Sequence, residues 1–226
     1  MPRRFAGAFV LGCAVALSVV TGIGRVHAAG TSSAGGLLTL LADELPPTRS
    51  EILRAEHGTY IGHLLLDRDS TLNRWPDRID SPIHVWIESA PQPNFNARVQ
   101  EAFTEWSDAG LPLRFIFIDQ ARDAEIQVRW TDRLSRKTGN TVWRVDERGW
   151  MRTADMLLAT HLSDGRPLDA RSLRAIALHE VGHVLGLAHS DDYHDVMAPL
   201  VRVAGLSASD RATARLLYSL PAGHIR

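Results

Sequence analysis

The chain has 226 residues, enough for one domain of ordinary size and tight for two. Hydrophobic residues make up 45% of the chain, as in globular proteins with a packed core, and 25 Lys and Arg against 26 Asp and Glu leave it nearly neutral. No basic stripe or net positive charge is available to meet phosphates, so we expect no nucleic-acid partner.

The first residues have the order of an export signal. Arg3 and Arg4 precede an apolar run over residues 5–23, and small residues at the positions that a signal peptidase reads end at Ala28. This order predicts a signal peptide over residues 1–28 with cleavage after about Ala28. The mature protein would then be secreted or periplasmic, without stable membrane association. An uncleaved anchor is the alternative, because the apolar run approaches the length that spans a bilayer.

Residues 29–71 are predicted to be either an N-terminal lead-in or a pro-segment, and the sequence leaves both open. Residues 31–50 are rich in Ser, Gly, Thr and Pro, which is typical of a flexible connection. A short helix is predicted over residues 51–56 and a strand over residues 60–66. Residues 72–226 then form the predicted main domain.

The first half of that domain alternates strands with one helix. An apolar stripe with helical spacing predicts the helix, which we expect to begin after Asn94 as its N-cap and to end at Gly110. The stripe comprises Phe95, Val99, Ala102, Phe103 and Trp106. Period-two alternation and β-forming residues predict strands over residues 83–88, 113–118, 125–130, 141–145 and 151–160.

A second helix, capped by Asp169 or Ser172, leads into the sequence H-E-x-x-H-x-x-G-x-x-H. His179 and His183 are four residues apart and so lie on one helix face, where two imidazoles can bind one ion. Glu180 lies one step round the helix, from where it can reach a metal-bound water without being a ligand.

The third histidine of this motif cannot belong to the same helix. A straight helix would place His189 about 9 Å beyond His183 and point it elsewhere. Glycine readily adopts the left-handed conformation that ends a helix, so we expect the helix to end at Gly186 and a loop to return His189 to the metal. The residues that follow (Asp191, Asp192, His194 and Asp195) are expected at the surface, because a fourth protein ligand would block the open position of a catalytic zinc. A supporting role behind a metal ligand stays open for one of them.

These residues resemble a known family. The eleven-residue motif is similar to the signature of the metzincin zinc peptidases, and Ser190 directly after it resembles the matrixin branch. Met197 resembles the methionine of the Met-turn beneath the metal, and residues 206–218 resemble the matrixin C-terminal helix. The resemblance implies an α+β fold: a twisted, mostly parallel sheet of about five strands, a backing helix, an active-site helix and a C-terminal helix.

The resemblance also implies how substrate would bind. Metzincins add a peptide as an extra strand to one sheet edge. We expect that edge over residues 155–160, with substrate contacts from Leu157, Leu158, Ala159 and Pro199. Ala198 follows Met197 where animal matrixins usually carry tyrosine, so the wall of the specificity pocket differs.

One catalytic zinc ion is the implied cofactor. The long His- and Asp-rich loops that hold a second zinc and calcium in animal matrixins are missing, so we make no prediction for calcium. Cys13 is the only cysteine. Removal of the signal would leave no thiolate for the cysteine switch that keeps many matrixins latent.

The predicted function is a zinc endopeptidase that acts as a monomer on peptides or proteins, with a zinc-activated water as nucleophile and Glu180 as general base. One alternative is a catalytically silent, exported zinc-binding module that recognises a partner through the same cleft. Glu180 argues against it, because a structural zinc site needs no base. Another is a deformylase-type hydrolase, which would lack the extension from Gly186 to His189.

Overall fold

The computed structural model describes residues 47–54 and 57–226, which contain both helices and strands. The helices are α1 (Arg49–Arg54), α2 (Ile61–Asp67), α3 (Phe95–Ser107), α4 (Ala170–Val184) and α5 (Ala208–Leu217), with a 3-10 turn at Ala121–Asp123. The strands are β1 (Thr71–Leu72), β2 (Arg78–Ile87), β3 (Leu113–Phe117), β4 (Ile126–Thr131), β5 (Gly139–Val145), β6 (Met151–Ala159) and β7 (Gly223–His224).

Five strands form the main sheet, in the order β3-β2-β4-β6-β5. The pairs β2–β3, β2–β4 and β4–β6 are parallel, and only β5 runs antiparallel to its neighbour β6. The α+β fold and the mostly parallel five-stranded sheet are therefore confirmed.

The predicted position of the sheet edge is wrong. Residues 155–159 lie in β6, which is hydrogen-bonded to β4 on one side and to β5 on the other. The free edge next to the active-site helix is β5. Both strands of the β5–β6 hairpin carry β-forming residues, and which of them faces β4 is decided by tertiary packing that no local pattern records.

Parallel register aligns the apolar side chains of the central strands. Val85 pairs with Ile126, which pairs with Ala154, while Val128 pairs with Met156. All five are fully or almost fully buried. Because side chains alternate across a strand, these residues present one continuous apolar surface to the core.

The helices α3 and α4 pack against each other. The predicted apolar stripe of α3 is buried, and the indole Nε1 of Trp106 donates to the carbonyl of Leu178 in α4 at 2.9 Å. Asn94 precedes α3 as predicted, but its φ of 67° gives no side-chain cap, since capping requires an extended backbone. The side chain of Asn96 instead holds the preceding turn, bonding Glu88 and Ala90.

The segment predicted as a strand over residues 60–66 is helical, forming α2. Ile61, Leu64 and Leu65 are buried in it, at the i, i+3 and i+4 spacing of a helix rather than the i, i+2 spacing of a strand. The predicted signal peptide, and the apolar run that would form the alternative anchor, lie outside the described residues. In the part of the chain that the structure describes, every helix is too short or too polar to cross a bilayer.

The two ends of the described chain meet. The strand β1 pairs antiparallel with β7, and the amide of Arg49 donates to the carbonyl of Arg226 at 2.7 Å. Ile52 and the apolar residues of α2 belong to the same buried cluster as the sheet and α4. The segments 49–54 and 60–72 thus pack as part of the fold that carries the site.

Candidate active site

The active-site helix α4 begins at a side-chain cap. The Oδ1 atom of Asp169 accepts hydrogen bonds from the amides of Arg171 and Ser172 at 2.9 and 2.8 Å. Of the two cap residues considered, Asp169 is therefore the cap, and Ser172 supports it with a hydroxyl bond to Oδ2.

The end of α4 is set by Gly186, whose φ is 99°. The amide of Leu187 donates to the carbonyl of Gly182, and that of Gly186 to His183, which is the paired bonding of a Schellman motif. A Cβ built on Gly186 would lie 2.3 Å from the carbonyl oxygen of Asn73. Two features thus require glycine at position 186: its left-handed backbone and the nearby carbonyl oxygen of Asn73. The helix ends where the sequence predicts.

The structure brings the three motif histidines together. Their ligand nitrogens lie within 4.8 Å of one another, and among the described residues they are the one group of three such side chains this close. The ring centroids of His179 and His183 are 4.7 Å apart, and that of His189 is 5.2 Å and 4.9 Å from them.

Backbone carbonyls fix the two helical rings in the form that binds metal. The Nδ1 atoms of His179 and His183 donate to the carbonyls of Val196 and Leu187 at 2.8 and 2.9 Å. Each Nε2 atom therefore presents its lone pair, and the two Nε2 atoms are 3.1 Å apart. Two nitrogens bound to one tetrahedral zinc lie about 3.3 Å apart, so this donor set fits that ion.

Burial keeps these imidazoles neutral. It lowers the pKa of His179 to about 4 and that of His183 well below its usual value, with a further lowering from neighbouring histidines. The pKa of His189 is lowered by burial as well. Neutral imidazole is the form that binds a metal, so near neutral pH the site needs no deprotonation.

Glu180 lies beside the histidines and is 5% exposed. Its Oε2 atom accepts a hydrogen bond from the hydroxyl of Thr141, in β5, at 2.6 Å. Burial raises the pKa of Glu180 to about 7, against the lowering effects of that hydrogen bond and of Lys137. Gly139 makes room for the carboxylate, because a Cβ there would lie 2.3 Å from Oε1.

Met197 packs beneath the same helix turn. It is fully buried, and a Cβ on Gly182 would lie 2.2 Å from its sulfur. The turn that carries it is closed by a hydrogen bond from the amide of Ser190 to the carbonyl of Met197 at 2.9 Å. Met197 therefore lies against the stretch of α4 between the two helical histidines.

Two structural carboxylates lie behind this turn, and sequence reasoning missed one of them, Asp210. Asp195, expected at the surface, is 3% exposed and accepts hydroxyl bonds from Ser190 and Ser207. Asp210 is fully buried and binds the amide of Val196, whose carbonyl holds His179. The spacing of Ser207 and Asp210, that of a capping box, was the one available signal. Asp191 and Asp192 are exposed, as expected.

A cleft of about 1190 Å³ opens onto the three histidines and Glu180. Of the predicted substrate contacts, Pro199 lines this cleft, whereas Leu157, Leu158 and Ala159 do not. Leu158 and Ala159 are fully buried in β6. The cleft is bordered instead by the start of β5, the neighbouring edge strand.

Comparison with known proteins agrees with this geometry. Residues 78–219, which include the whole histidine motif and Met197, match the family model for matrixins. Matrix metalloproteinase-C of Caenorhabditis elegans is 25% identical over 167 residues, which cover 67% of this chain and 28% of that protein. The match thus spans little more than a quarter of the relative's length. The chain belongs to the matrixin family, a group of zinc metallopeptidases within the metzincins.

Proposed function

We propose that the protein is an exported zinc endopeptidase. The observation that carries the proposal is a buried glutamate beside three converging, neutral imidazoles at the floor of an open cleft. A zinc ion bound there supplies Lewis acidity, which lowers the pKa of water to about 7 and polarises a carbonyl group.

Glu180 performs the proton transfers. Its carboxylate accepts the proton of the attacking water and passes it to the leaving nitrogen of the peptide bond. A cation held by the neighbouring imidazoles would lower the pKa of Glu180 from the value of about 7 that burial alone produces. The ionised form required of a base is then available near neutral pH.

The edge strand β5 offers a place for the peptide substrate. Its outer side has no strand partner among the described residues, so an extended peptide can pair with it through main-chain hydrogen bonds. Thr141 and Gly139, on the same strand, face Glu180. A peptide on this edge would therefore run past the general base, with Pro199 on the cleft wall.

Replacement of Glu180 by Gln tests the proposal. We expect turnover of a labelled peptide mixture to fall by about 10²-fold or more, with zinc content unchanged, because the base is lost and the ligands are kept. Exposed Glu147, in the β5–β6 turn, gives the matched control Glu147→Gln, which should retain parental activity. Retained turnover in a clean Glu180→Gln preparation would exclude the base. A zinc-loaded parent that cleaves nothing would favour the silent binding module.

Export and the monomeric state belong to the same proposal. Mass spectrometry of the protein from the producing cell should find the first residue just after Ala28, in the periplasm or medium. A protein that begins at residue 1 and sediments with membranes would establish the anchor instead. Sedimentation of the purified protein should give one mass near the 24.9 kDa of the whole chain, less the signal.

A further inference from the structure

Basic side chains border the active-site cleft on four of its segments. They come from the loop before β5, the loop before α4, the first turn of α4 and the segment after Met197. All five are exposed. They are Arg136, Lys137, Arg166, Arg171 and Arg202.

The acidic side chains of the cleft do not balance this charge. Asp169 and Glu180 are the only carboxylates that line it in the described chain. The oxygens of Asp169 are occupied in capping α4, and Glu180 is the buried base bonded to Thr141. Asp67, whose charge reaches His189, lies outside the lining.

Among the residues that the structure describes, most of these cations also form no ion pair with a carboxylate. Arg166 pairs with Asp164 at 2.8 Å, and Lys137, whose charge acts on Glu180, bonds the amide oxygen of Asn140. Within residues 57–226, Arg136, Arg171 and Arg202 have no carboxylate within 4.0 Å, and Arg202 lies over the ring of Tyr193.

This asymmetry is local, because the whole chain is nearly neutral, with 25 basic and 26 acidic residues. Charges of one sign around a cleft attract oppositely charged ligands and raise their rate of association. An extended peptide can pair with the edge strand β5. If it is rich in Asp and Glu, its charge is opposite to that of the basic side chains around the cleft.

We propose that the cleft selects peptides with carboxylate side chains on both sides of the scissile bond. The inference rests on the proposed function for the cleavage step but not for binding. Attraction by exposed charges is screened by salt, since the Debye length falls from about 10 Å at 0.1 M to about 3 Å at 1 M. The selectivity for acidic peptides should therefore decrease as ionic strength rises.

The test compares fluorogenic peptides that differ only in flanking Asp and Glu, Asn and Gln, or Lys residues. At low ionic strength we expect kcat/KM for the acidic peptide to exceed that of its amide counterpart by on the order of tenfold. The Lys peptide should be cleaved least. Binding of the same peptides to the zinc-loaded Glu180→Gln protein, followed by fluorescence anisotropy, should show the same order.

Variants of the basic side chains then test whether these residues cause the preference for acidic peptides. The double variant Arg171→Gln/Arg202→Gln should bring the acidic-to-neutral ratio toward one, and Arg171→Glu/Arg202→Glu should reverse it. Arg148→Gln is the matched control, because exposed Arg148 lies in the β5–β6 turn at the opposite end of β5 from the cleft.

Different results would contradict the preference for acidic peptides and the peptidase activity. Acidic and amide peptides that are cleaved equally well and bind equally would overturn the acidic preference and leave the peptidase standing. Preferential binding of the acidic peptide without cleavage by the parent would overturn the peptidase and support the preference. A ratio that the Arg171 and Arg202 variants leave unchanged would also contradict the inference.

Discussion

The hydroxyl group of Thr141 holds Glu180, the proposed general base, in place. The carboxylate of Glu180 is buried against β5, where the Oγ1 atom of Thr141 donates to Oε2 at 2.6 Å and Gly139 leaves space around Oε1. Thr141 is itself 2% exposed. Its side chain therefore orients the base from the strand while α4 supplies it from the helix, and we regard Thr141 as a positioning residue.

Replacement of Thr141 by Val removes the hydroxyl and keeps the shape. We expect kcat to fall by on the order of tenfold, since a hydrogen bond to a charged group is lost. That hydrogen bond lowers the pKa of Glu180, so its loss raises the pKa. The acidic limb of the kcat/KM profile should then move to higher pH, because a base acts only when deprotonated.

Thr141→Ser is the matched variant, as it restores the donor. Its rate and pH profile should return towards those of the parent, with equal zinc content in all three proteins. A Val variant as active as the Ser variant would show that the hydroxyl has no part in catalysis.

Sequence spacing identified His179, Glu180 and His183 because a helix fixes the geometry of residues that are close in the chain. His189 was added by the same local logic, through Gly186. Thr141 is 39 residues from Glu180, and their contact exists only because β5 packs beside α4. A threonine in a strand carries no mark of such a contact, so the sequence could not have revealed it.

The end of α4 at Gly186 determines whether His189 can reach the other two histidines. Its left-handed φ of 99° lets the chain turn back, and the loop after it carries His189 to the other two rings. Any side chain at this position would also press on the carbonyl of Asn73. The helix end is thus a requirement of the metal centre and not only of α4.

Gly186→Ala should lower both stability and zinc affinity. The left-handed backbone alone costs about 1–3 kcal/mol for alanine, and the contact with Asn73 adds to this. Gly110→Ala is the control, since Gly110 has a φ of 81° but its added Cβ would meet only an ordinary contact, at 3.8 Å from the Arg215 side chain. Chemical denaturation and zinc titration of both variants measure the difference. Equal losses, with unchanged zinc affinity for Gly186→Ala, would contradict the role assigned to this helix end.

A helix or strand could be predicted from the sequence where its pattern of apolar residues was long. The stripe of α3 spans three turns, and its helix is found at Phe95–Ser107. The short apolar run of α2 fitted a strand as well as a helix, and packing against the core decided for the helix. The sheet edge failed for a related reason, because a hairpin contributes two similar strands and only tertiary contacts order them.

At the scale of the whole molecule, the described N-terminal segment packs against the C-terminal end of the chain and the common core. Arg49 bonds to Arg226, β1 pairs with β7, and the side chains of α2 are buried in the common core. From this packing we propose that the segments 49–54 and 60–71 belong to the catalytic unit and are not a detachable pro-segment.

Substitutions in α2 test that reading. Leu64 is fully buried and Leu66 is 69% exposed, so Leu64→Ala and Leu66→Ala form a matched pair on one helix. We expect Leu64→Ala to lower the free energy of unfolding by about 2–5 kcal/mol and Leu66→Ala to change it by about 0.5 kcal/mol or less. Equal stability of the two variants in chemical denaturation would mark α2 as loosely attached.

The hydroxyl of Tyr60 sets a limit on where this protein can be trimmed. It donates to Asp210 at 3.0 Å, Asp210 binds the amide of Val196, and the carbonyl of Val196 holds the ring of His179. Cleavage downstream of Tyr60 would remove the first member of that series and leave the carboxylate of Asp210 without one of its donors. Cleavage that preserves this series of hydrogen bonds behind His179 must therefore fall before Tyr60.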